Sequence, residues 1–356
     1  MENKYYGFLV IGLLIAGAAA VTLGWGENPK DPGDNTNNAE PVILRINGGN
    51  TTATLGSGVG ISTGTLGVAW SKGFLQEELS KVNAKLELVP MVVTGGAGYQ
   101  EAMSSGSIDI ASSGETPMIY SYAAGNPVRI IAAYHKGGSQ NAILVRKDSG
   151  INSVKDLKSK KAAAAFGGNN HKFLIEVLDN NGLSINKDVE FFNLRDNDAP
   201  AALLRGDIDA FSGSYQKAML LETKENVKII YDVNQYDNWS GVGIYSVRKP
   251  YADKHPEVVK AFLKAVIRTN KWIKEHPEES INYWQSQDNY PRFTYEKLYP
   301  DYKSGNFGFE IALSDDLINK LDRSKSFLVN NGLLKKDFDV SGLVEKKYLD
   351  EVLAGK

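Results

Sequence analysis

The stretch EAMSSGSIDIASSG, Glu101 to Gly114, is echoed one hundred residues later by AALLRGDIDAFSG, Ala201 to Gly213. In each copy an apolar-faced helical run stops at a glycine, Gly106 or Gly206, suited to the left-handed position that ends a helix. An Ile-Asp pair then opens a short strand-like run, and small residues close it before the next helical pattern. Two copies of one unit predict two lobes of similar build. Helix–Gly–strand units occur in any α/β chain, so the echo needs support from the rest of the sequence.

From Val42 onward, short runs rich in Val, Ile and aromatic residues alternate with helical patterns, which predicts an α/β architecture with mostly parallel pairing. The predicted strands are 42–47, 85–92, 108–113, 128–135, 142–146, 161 onward, 188–194, 208–213, 227–232 and 242–248. Ten strands are many for one open sheet, and two lobes resolve the excess. After Lys249 the pattern is helical only. PEVVKAFLKAVIRTNKWI, residues 256–273, carries Val258, Val259, Phe262, Leu263, Val266, Ile267 and Ile273 at a period near 3.6, so one face of this helix packs on a lobe. Further helical segments lie around EESINYWQ, SDDLINKLDRSKSFLVNNGLL and VEKKYLDEVL.

The chain has 356 residues, enough for two domains of ordinary size. Its 40 basic and 42 acidic residues nearly cancel, and no Lys/Arg stripe with interleaved aromatics is present, so nucleic acid is not an expected partner. The absence of cysteine excludes disulfides, thiolate metal sites, a cysteine nucleophile and a lipid-modified N-terminal cysteine. Of four histidines, His255 and His276 each precede a proline and read as surface helix starts. No pair shows metal-ligand spacing, and no cofactor or metal is expected.

Phe8 to Trp25 is uncharged and follows Lys4, which reads as an export segment, cleaved or kept as an anchor, with a buried globular helix as the alternative. Gly26 to Pro41 (GENPKDPGDNTNNAEP) holds too little apolar surface to order itself and reads as a tether. The expected organisation is a signal or anchor over 1–25, a linker over 26–41, and a folded part outside the membrane.

Four loops lie where open α/β sheets bind ligands, beyond the carboxyl ends of strands and at helix starts. The first runs from Gly48 to Thr65, where Thr63 or Thr65 can cap the following helix. The others are Ser113-Gly114-Glu115-Thr116-Pro117, Gly167-Gly168-Asn169-Asn170-His171 and Ser212-Gly213-Ser214-Tyr215. All are rich in glycine and in hydroxyl or amide donors, which suits an anion. One helix N-terminus stabilises an anion by about 0.3–1 kcal/mol, whereas micromolar affinity needs about 8 kcal/mol. Several helix starts must therefore converge, as two lobes closing on a ligand would arrange.

His171 reads first as a capping or surface residue of a first helical turn, then as a ligand contact, and last as a catalytic base. Asn169 and Asn170 are turn formers or ligand contacts. Glu115 either complements its own helix dipole or faces the cleft, where it would attract an amine and favour a zwitterion. Trp239 either walls an apolar ligand tail or belongs to a core. Enzyme motifs are absent: the glycines at 56–60 fit neither the dinucleotide fingerprint nor a P-loop, and Ser214-Tyr-Gln-Lys217 lacks the companions of a Ser-x-x-Lys site. A general base would have to be His171 beside Glu115 or Asp209.

Ser153-Val-Lys-Asp-Leu-Lys-Ser-Lys-Lys161, Phe166-Gly-Gly-Asn-Asn-His171, Ala201-Ala-Leu-Leu-Arg-Gly-Asp-Ile-Asp-Ala210 and Lys254-His-Pro-Glu-Val-Val-Lys-Ala-Phe-Leu263 follow 106–117 and 123–128 in register. Together, over about residues 42–284, they resemble the solute-binding proteins of ABC importers for alkanesulfonates, taurine and nitrate. The resemblance implies a two-lobed type II periplasmic-binding-protein-like α/β fold with a ligand cleft between lobes. It implies crossings near 141–147 and 241–248, one lobe of residues 42–143 plus 246–356, and a second of 144–245. It also implies ligand contacts from Thr63, Thr65, Gly114, Glu115, Thr116, Asn169, Asn170, His171, Ser214 and Tyr215. The expected role is a monomeric extracytoplasmic receptor that passes a small anionic or zwitterionic solute to an ABC permease. The alternatives are an exported enzyme or sensor domain on the same frame, and a binder of a thiamine-precursor pyrimidine or other small aromatic. Two departures alter the pocket: Ser212-Gly-Ser-Tyr215 stands where family members often carry Trp-Asp-Pro, and the loop over 48–64 is longer and richer in glycine. The pyrimidine-synthesising proteins of this fold use cysteine-containing motifs, which this chain lacks.

Overall fold

Alternating β-branched runs and amphipathic runs fold into two sheets of five strands each. The computed structural model describes residues 40–48, 64–90, 96–135, 141–235, 241–288, 290–309 and 311–355. The apolar segment at 8–25, residues 26–39 of the linker, Thr63 and Trp239 lie outside the described residues. No helix among the described residues is long and apolar enough to cross a membrane.

The elements run β1 (Val42–Gly48), α1 (Gly64–Ser71), α2 (Phe74–Ser80), β2 (Ala84–Pro90), α3 (Gly96–Ser105), β3 (Ile110–Gly114), α4 (Glu115–Ala123), β4 (Val128–His135) and β5 (Asn141–Arg146). They continue through β6 (Lys161–Ala164), α5 (Asn169–Asn180), β7 (Glu190–Asn193), α6 (Ala199–Arg205), β8 (Ala210–Ser214), α7 (Tyr215–Lys224) and β9 (Val227–Asp232). After β10 (Gly243–Arg248) come α8 (Lys249–Lys254), α9 (Pro256–Glu275), α10 (Pro277–Asp288), α11 (Arg292–Leu298), α12 (Asp315–Asn330) and α13 (Lys347–Leu353). Each predicted strand has a counterpart within two residues at most ends. The short α11 was not anticipated, because its seven residues carry no helical period long enough to read.

The two sheets share one topology. The first has the order β2-β1-β3-β10-β4 and the second β7-β6-β8-β5-β9. In each, the first three strands pair in parallel, and one strand enters antiparallel between the last two. Those entering strands are β10 in the first sheet and β5 in the second, so the chain crosses between lobes beside both.

The echoed motif explains how each lobe is fastened. Gly106 and Gly206 take φ of 77° and 83°, which glycine adopts without steric cost. The aspartate three residues on then clips a neighbouring strand: the Arg45 N–H donates to Asp109 Oδ2 at 2.9 Å, and the Lys161 N–H donates to Asp209 Oδ2 at 2.9 Å. An arginine from the antiparallel strand packs over each glycine. Arg248 Nη2 donates to Asp109 Oδ1 at 2.6 Å, and Arg146 Nη1 donates to the Leu203 carbonyl at 3.0 Å.

The first sheet and the helices on it bury the larger core, to which α9 contributes Val258, Val259, Phe262, Leu263 and Val266. Its apolar stripe is what the sequence predicts, and its polar face points outward. The second lobe has a core on each face of its sheet, one around Phe173, Leu174, Val177 and Leu178 and the other around Phe211, Leu203 and Met219. Phe293 and Leu298 of α11 lean on the latter, so the C-terminal helices also touch the second lobe. Trp284, Tyr295, Tyr302 and Phe307 form a smaller aromatic core between α10, α11 and α1.

Asp109 is fully buried with an ionic partner, whereas Asp209 is half-buried and its carboxylate clips the Lys161 N–H. A hydrogen bond to a charged group contributes about 1.5–3 kcal/mol, and Asp109 accepts from both Arg248 and the Arg45 N–H where Asp209 accepts from the Lys161 N–H. Asp109→Ala is therefore expected to lower the urea midpoint clearly more than Asp209→Ala, although the two positions match in sequence.

Candidate functional site

Helix α4 begins directly after β3, with Gly114 as its N-cap, and α5 begins after Gly168 in the same way. The two starts meet where the lobes face each other. A Cβ on Gly114 would stand 2.4 Å from the Asn169 amide, and one on Gly96, at the start of α3, would stand 2.0 Å from the Gly167 carbonyl oxygen. Glycine at 96 and 114 is therefore what allows backbone from one lobe to reach the other.

Asn169 joins the two helices. Its Nδ2 donates to Glu115 Oε2 at 2.6 Å, and its Oδ1 accepts from the Thr116 N–H at 3.2 Å. Glu115 has no solvent exposure. Its Oε2 also accepts from the Val242 N–H at 2.9 Å, while Oε1 accepts from Ser324 Oγ at 3.0 Å and Thr116 Oγ1 at 3.2 Å. Lys172 Nζ stands 3.3 Å from Oε1 and is likewise fully buried. Glu115 thus sits at the positive end of α4, and its carboxylate is enclosed among protein donors instead of facing an open cleft.

The other predicted residues have separate settings. Thr65 lies within the first turn of α1, not at its cap, because the helix starts at Gly64; its hydroxyl donates to Asn270 Oδ1 at 2.8 Å. Trp284 Nε1 donates to the Gly64 carbonyl at 3.1 Å and holds the start of α1 in place. Asn170 Nδ2 donates to Asp196 Oδ1 at 3.0 Å, and its carbonyl accepts from Ser212 Oγ at 2.9 Å. Ser214 caps α7 by accepting from the Lys217 N–H, and Tyr215 is buried in the core of the second lobe.

His171 is neither a surface nor a capping residue. It is 3% exposed, with its ring 5.0 Å from that of Phe166 and 4.6 Å from that of Phe191. Burial depresses its pKa from the ordinary 6.5 to about 4, so the ring is neutral at physiological pH. The pairings proposed for a general base do not form, since Glu115 is held by the donors above and Asp209 clips Lys161.

Sequence reading missed a group of hydroxyls on the first-lobe side. Asn47, at the end of β1, donates through Nδ2 to Tyr99 Oη at 3.3 Å and accepts through Oδ1 from the Ser112 N–H at 2.8 Å. Tyr134 donates to the Ser113 carbonyl at 3.5 Å, and its ring lies 4.9 Å from that of Tyr245. Burial raises the pKa of Tyr99, Tyr134 and Tyr245, which keeps all three as neutral O–H donors. Nothing in the period of their strands and helix separates them from core tyrosines; only the strand order brings them to Ser112–Glu115. The nearby cation Lys217 donates to the Asp196 carbonyl at 2.8 Å and to Asn197 Oδ1 at 3.1 Å, so it is committed within its own lobe. Among the described residues no cluster has metal-ligand character. The junction brings amide and hydroxyl groups of two lobes together around the buried Glu115–Lys172 pair.

Two matched α/β lobes meeting at such a junction define a two-lobed solute-binding fold. The chain matches the family described as NMT1/THI5 like over residues 63–280, and it belongs to that family. It is 30% identical over 297 residues to a Bacillus subtilis (strain 168) protein named for the binding of aliphatic sulfonates, covering 83% of this chain and 87% of the relative. It is 33% identical over 186 residues to the taurine-binding periplasmic protein of Escherichia coli (strain K12), covering 51% and 56%. Among solved structures, the alkanesulfonate-binding protein SsuA from Xanthomonas axonopodis pv. citri, bound to MOPS, superposes with a TM-score of 0.71 at 21% identity, covering 86% of this chain and 99% of that one. The desulfurization enzyme DszB shares the fold with a TM-score of 0.64 at 16% identity, covering 88% and 99%.

The depressed pKa of His171 makes acid unfolding partly a charging of this ring. Native His171 resists protonation between pH 6.5 and about 4 while the unfolded residue accepts a proton, so its contribution is full above pH 6.5 and is lost as pH falls toward 4. Between pH 7 and 4.5 the loss is about 2 kcal/mol. His171→Leu is expected to lose that much less stability than the parent over the same interval, measured by urea unfolding at the two pH values.

Proposed function

We propose that this chain is the extracytoplasmic solute-binding receptor of an ABC importer, and that its solute is a small sulfonate, taurine, nitrate or a similar oxyanion-bearing molecule. The observation that carries the reading is the meeting of the α4 and α5 starts across the lobe boundary, with Gly96 admitting the Gly167 backbone and Gly114 the Asn169 side-chain amide. An anion shared by two helix starts gains from both, and water-excluding closure strengthens each hydrogen bond. Relatives named for binding aliphatic sulfonates and taurine support the solute class. The neutral tyrosine hydroxyls and the backbone N–H groups of the first turn of α5 supply the donors. Export through the segment at 8–25, retention at the membrane outer face, delivery to a permease and a monomeric state belong to the same proposal.

The role is binding without turnover. His171 is packed against two phenyl rings, and Glu115 and Asp209 are engaged by other donors. A general base needs reach to a substrate proton and an oriented partner, and neither carboxylate pairs with His171.

A thermal-shift panel of taurine, alkanesulfonates, nitrate and thiamine-precursor pyrimidines tests the solute class. A sulfonate at ~100 times its Kd adds about 2.7 kcal/mol, a rise of several degrees in Tm. A response confined to the pyrimidines, or none at all, would refute the oxyanion assignment.

Closure can be tested separately. Gly96→Ala places its methyl 2.0 Å from the Gly167 carbonyl, so the lobes cannot take this arrangement. The expected result is a Kd weaker by about tenfold or more, with the Tm of the ligand-free chain unchanged or slightly raised by the better helix former.

A further inference from the structure

The seam between the lobes follows one stripe of α5. Asn169, Lys172, Glu176 and Asp179 recur at i, i+3, i+7 and i+10 and so share one face of the helix, while Phe173, Leu174, Val177 and Leu178 fill the core of their own lobe. Asn169 meets Glu115 and Thr116. Lys172 Nζ donates to Ser324 Oγ of α12 at 2.8 Å and lies 3.3 Å from both Glu115 Oε1 and Glu176 Oε1. Ser324 Oγ in turn donates to Glu115 Oε1 at 3.0 Å, and Asp179 lies at the exposed end of the same stripe. Glu115, Lys172 and Ser324 have no solvent exposure.

This charge pair spans two bodies. Glu115 is fixed to the first lobe by the Val242 N–H, whereas Lys172 belongs to a helix packed in the second. Parting the lobes would return both groups to water, where each is well solvated; bringing them together buries a carboxylate that is tolerated only with its counter-charge in place. From this geometry we infer that Lys172 is a positioning residue for solute capture: it supplies, across the lobe boundary, the charge that lets Glu115 be buried on closure, and so sets the affinity without touching the solute. The inference rests on reading the chain as a closing receptor. The dependence is steep, because a ligand's apparent affinity scales with the population of the state that binds it.

The test uses the full chain, whose lack of cysteine allows one label on each lobe through Ser104→Cys and Leu204→Cys. Lys172→Met is expected to lengthen the mean interlobe label distance and to weaken the Kd for the best solute of the panel at least tenfold. Adding Glu115→Gln and Glu176→Gln to Lys172→Met neutralises both carboxylates that face Lys172 Nζ and keeps an amide at the junction, so this combined variant should recover most of that loss. A hole in the packing would not be rescued in this way. Wild-type distance and Kd in Lys172→Met would overturn the inference, as would a large fall in the ligand-free Tm that the combined variant does not recover. If no solute in the panel binds the wild type, the receptor reading fails by itself. The ligand-free label distance then still decides whether Lys172 holds the lobes together.

Discussion

Glu115 and Lys172 carry opposite charges 3.3 Å apart, with no solvent exposure, at the place where the two lobes touch. At an effective dielectric near 20 their attraction is about 5 kcal/mol, and removing each ion from water costs several kcal/mol. The attraction alone does not offset both desolvation costs, and the surrounding hydrogen bonds to Glu115 and Lys172 supply the remainder. The pair therefore adds little net stability, but it strongly penalises any arrangement that buries one member alone. A junction of this kind fixes the register of the lobes through polar contacts whose groups are also well solvated in water. An apolar seam of the same area would hold the lobes shut.

Around that junction each lobe is built to be rigid by itself. The repeated aspartates, Asp109 and Asp209, tie the motif's strand to its neighbour, and the arginines of the crossing strands cover the glycines that end α3 and α6. Arg146 and Arg248 lie at the ends of β5 and β10, the strands that carry the chain from one lobe to the other. The fastening of each lobe and the connection between lobes thus use the same residues. Helices α9 to α13 then thicken the first lobe, and α11 reaches the second through Phe293 and Leu298.

Apart from Lys172, which is paired with Glu115, the donors gathered at the junction are neutral: buried tyrosine hydroxyls, asparagine amides and helix-start N–H groups. On the proposed reading the oxyanion is held by several modest hydrogen bonds of this kind. His171 fits this scheme as a neutral aromatic packed between phenyl rings. Burial, not a charged neighbour, lowers its basicity.

The sequence by itself determined the strands, the helix stripe of α9, the glycine ends of α3 and α6, and the two-lobed plan. Each rests on a period or a backbone conformation that a few neighbouring residues enforce locally. It also pointed to the loops at Gly114–Thr116 and Asn169–His171, because glycine and amide residues at helix starts are a local signal. The partners of those side chains were not legible. The polar stripe Asn169, Lys172, Glu176 and Asp179 has the period of an ordinary solvent-facing surface, yet its first three members are buried against the other lobe. His171 has the position of a cap but the environment of a core. Whether a polar face meets water or a second polar face is settled by elements more than a hundred residues away, such as Ser324 on α12, and only the tertiary structure brings those together.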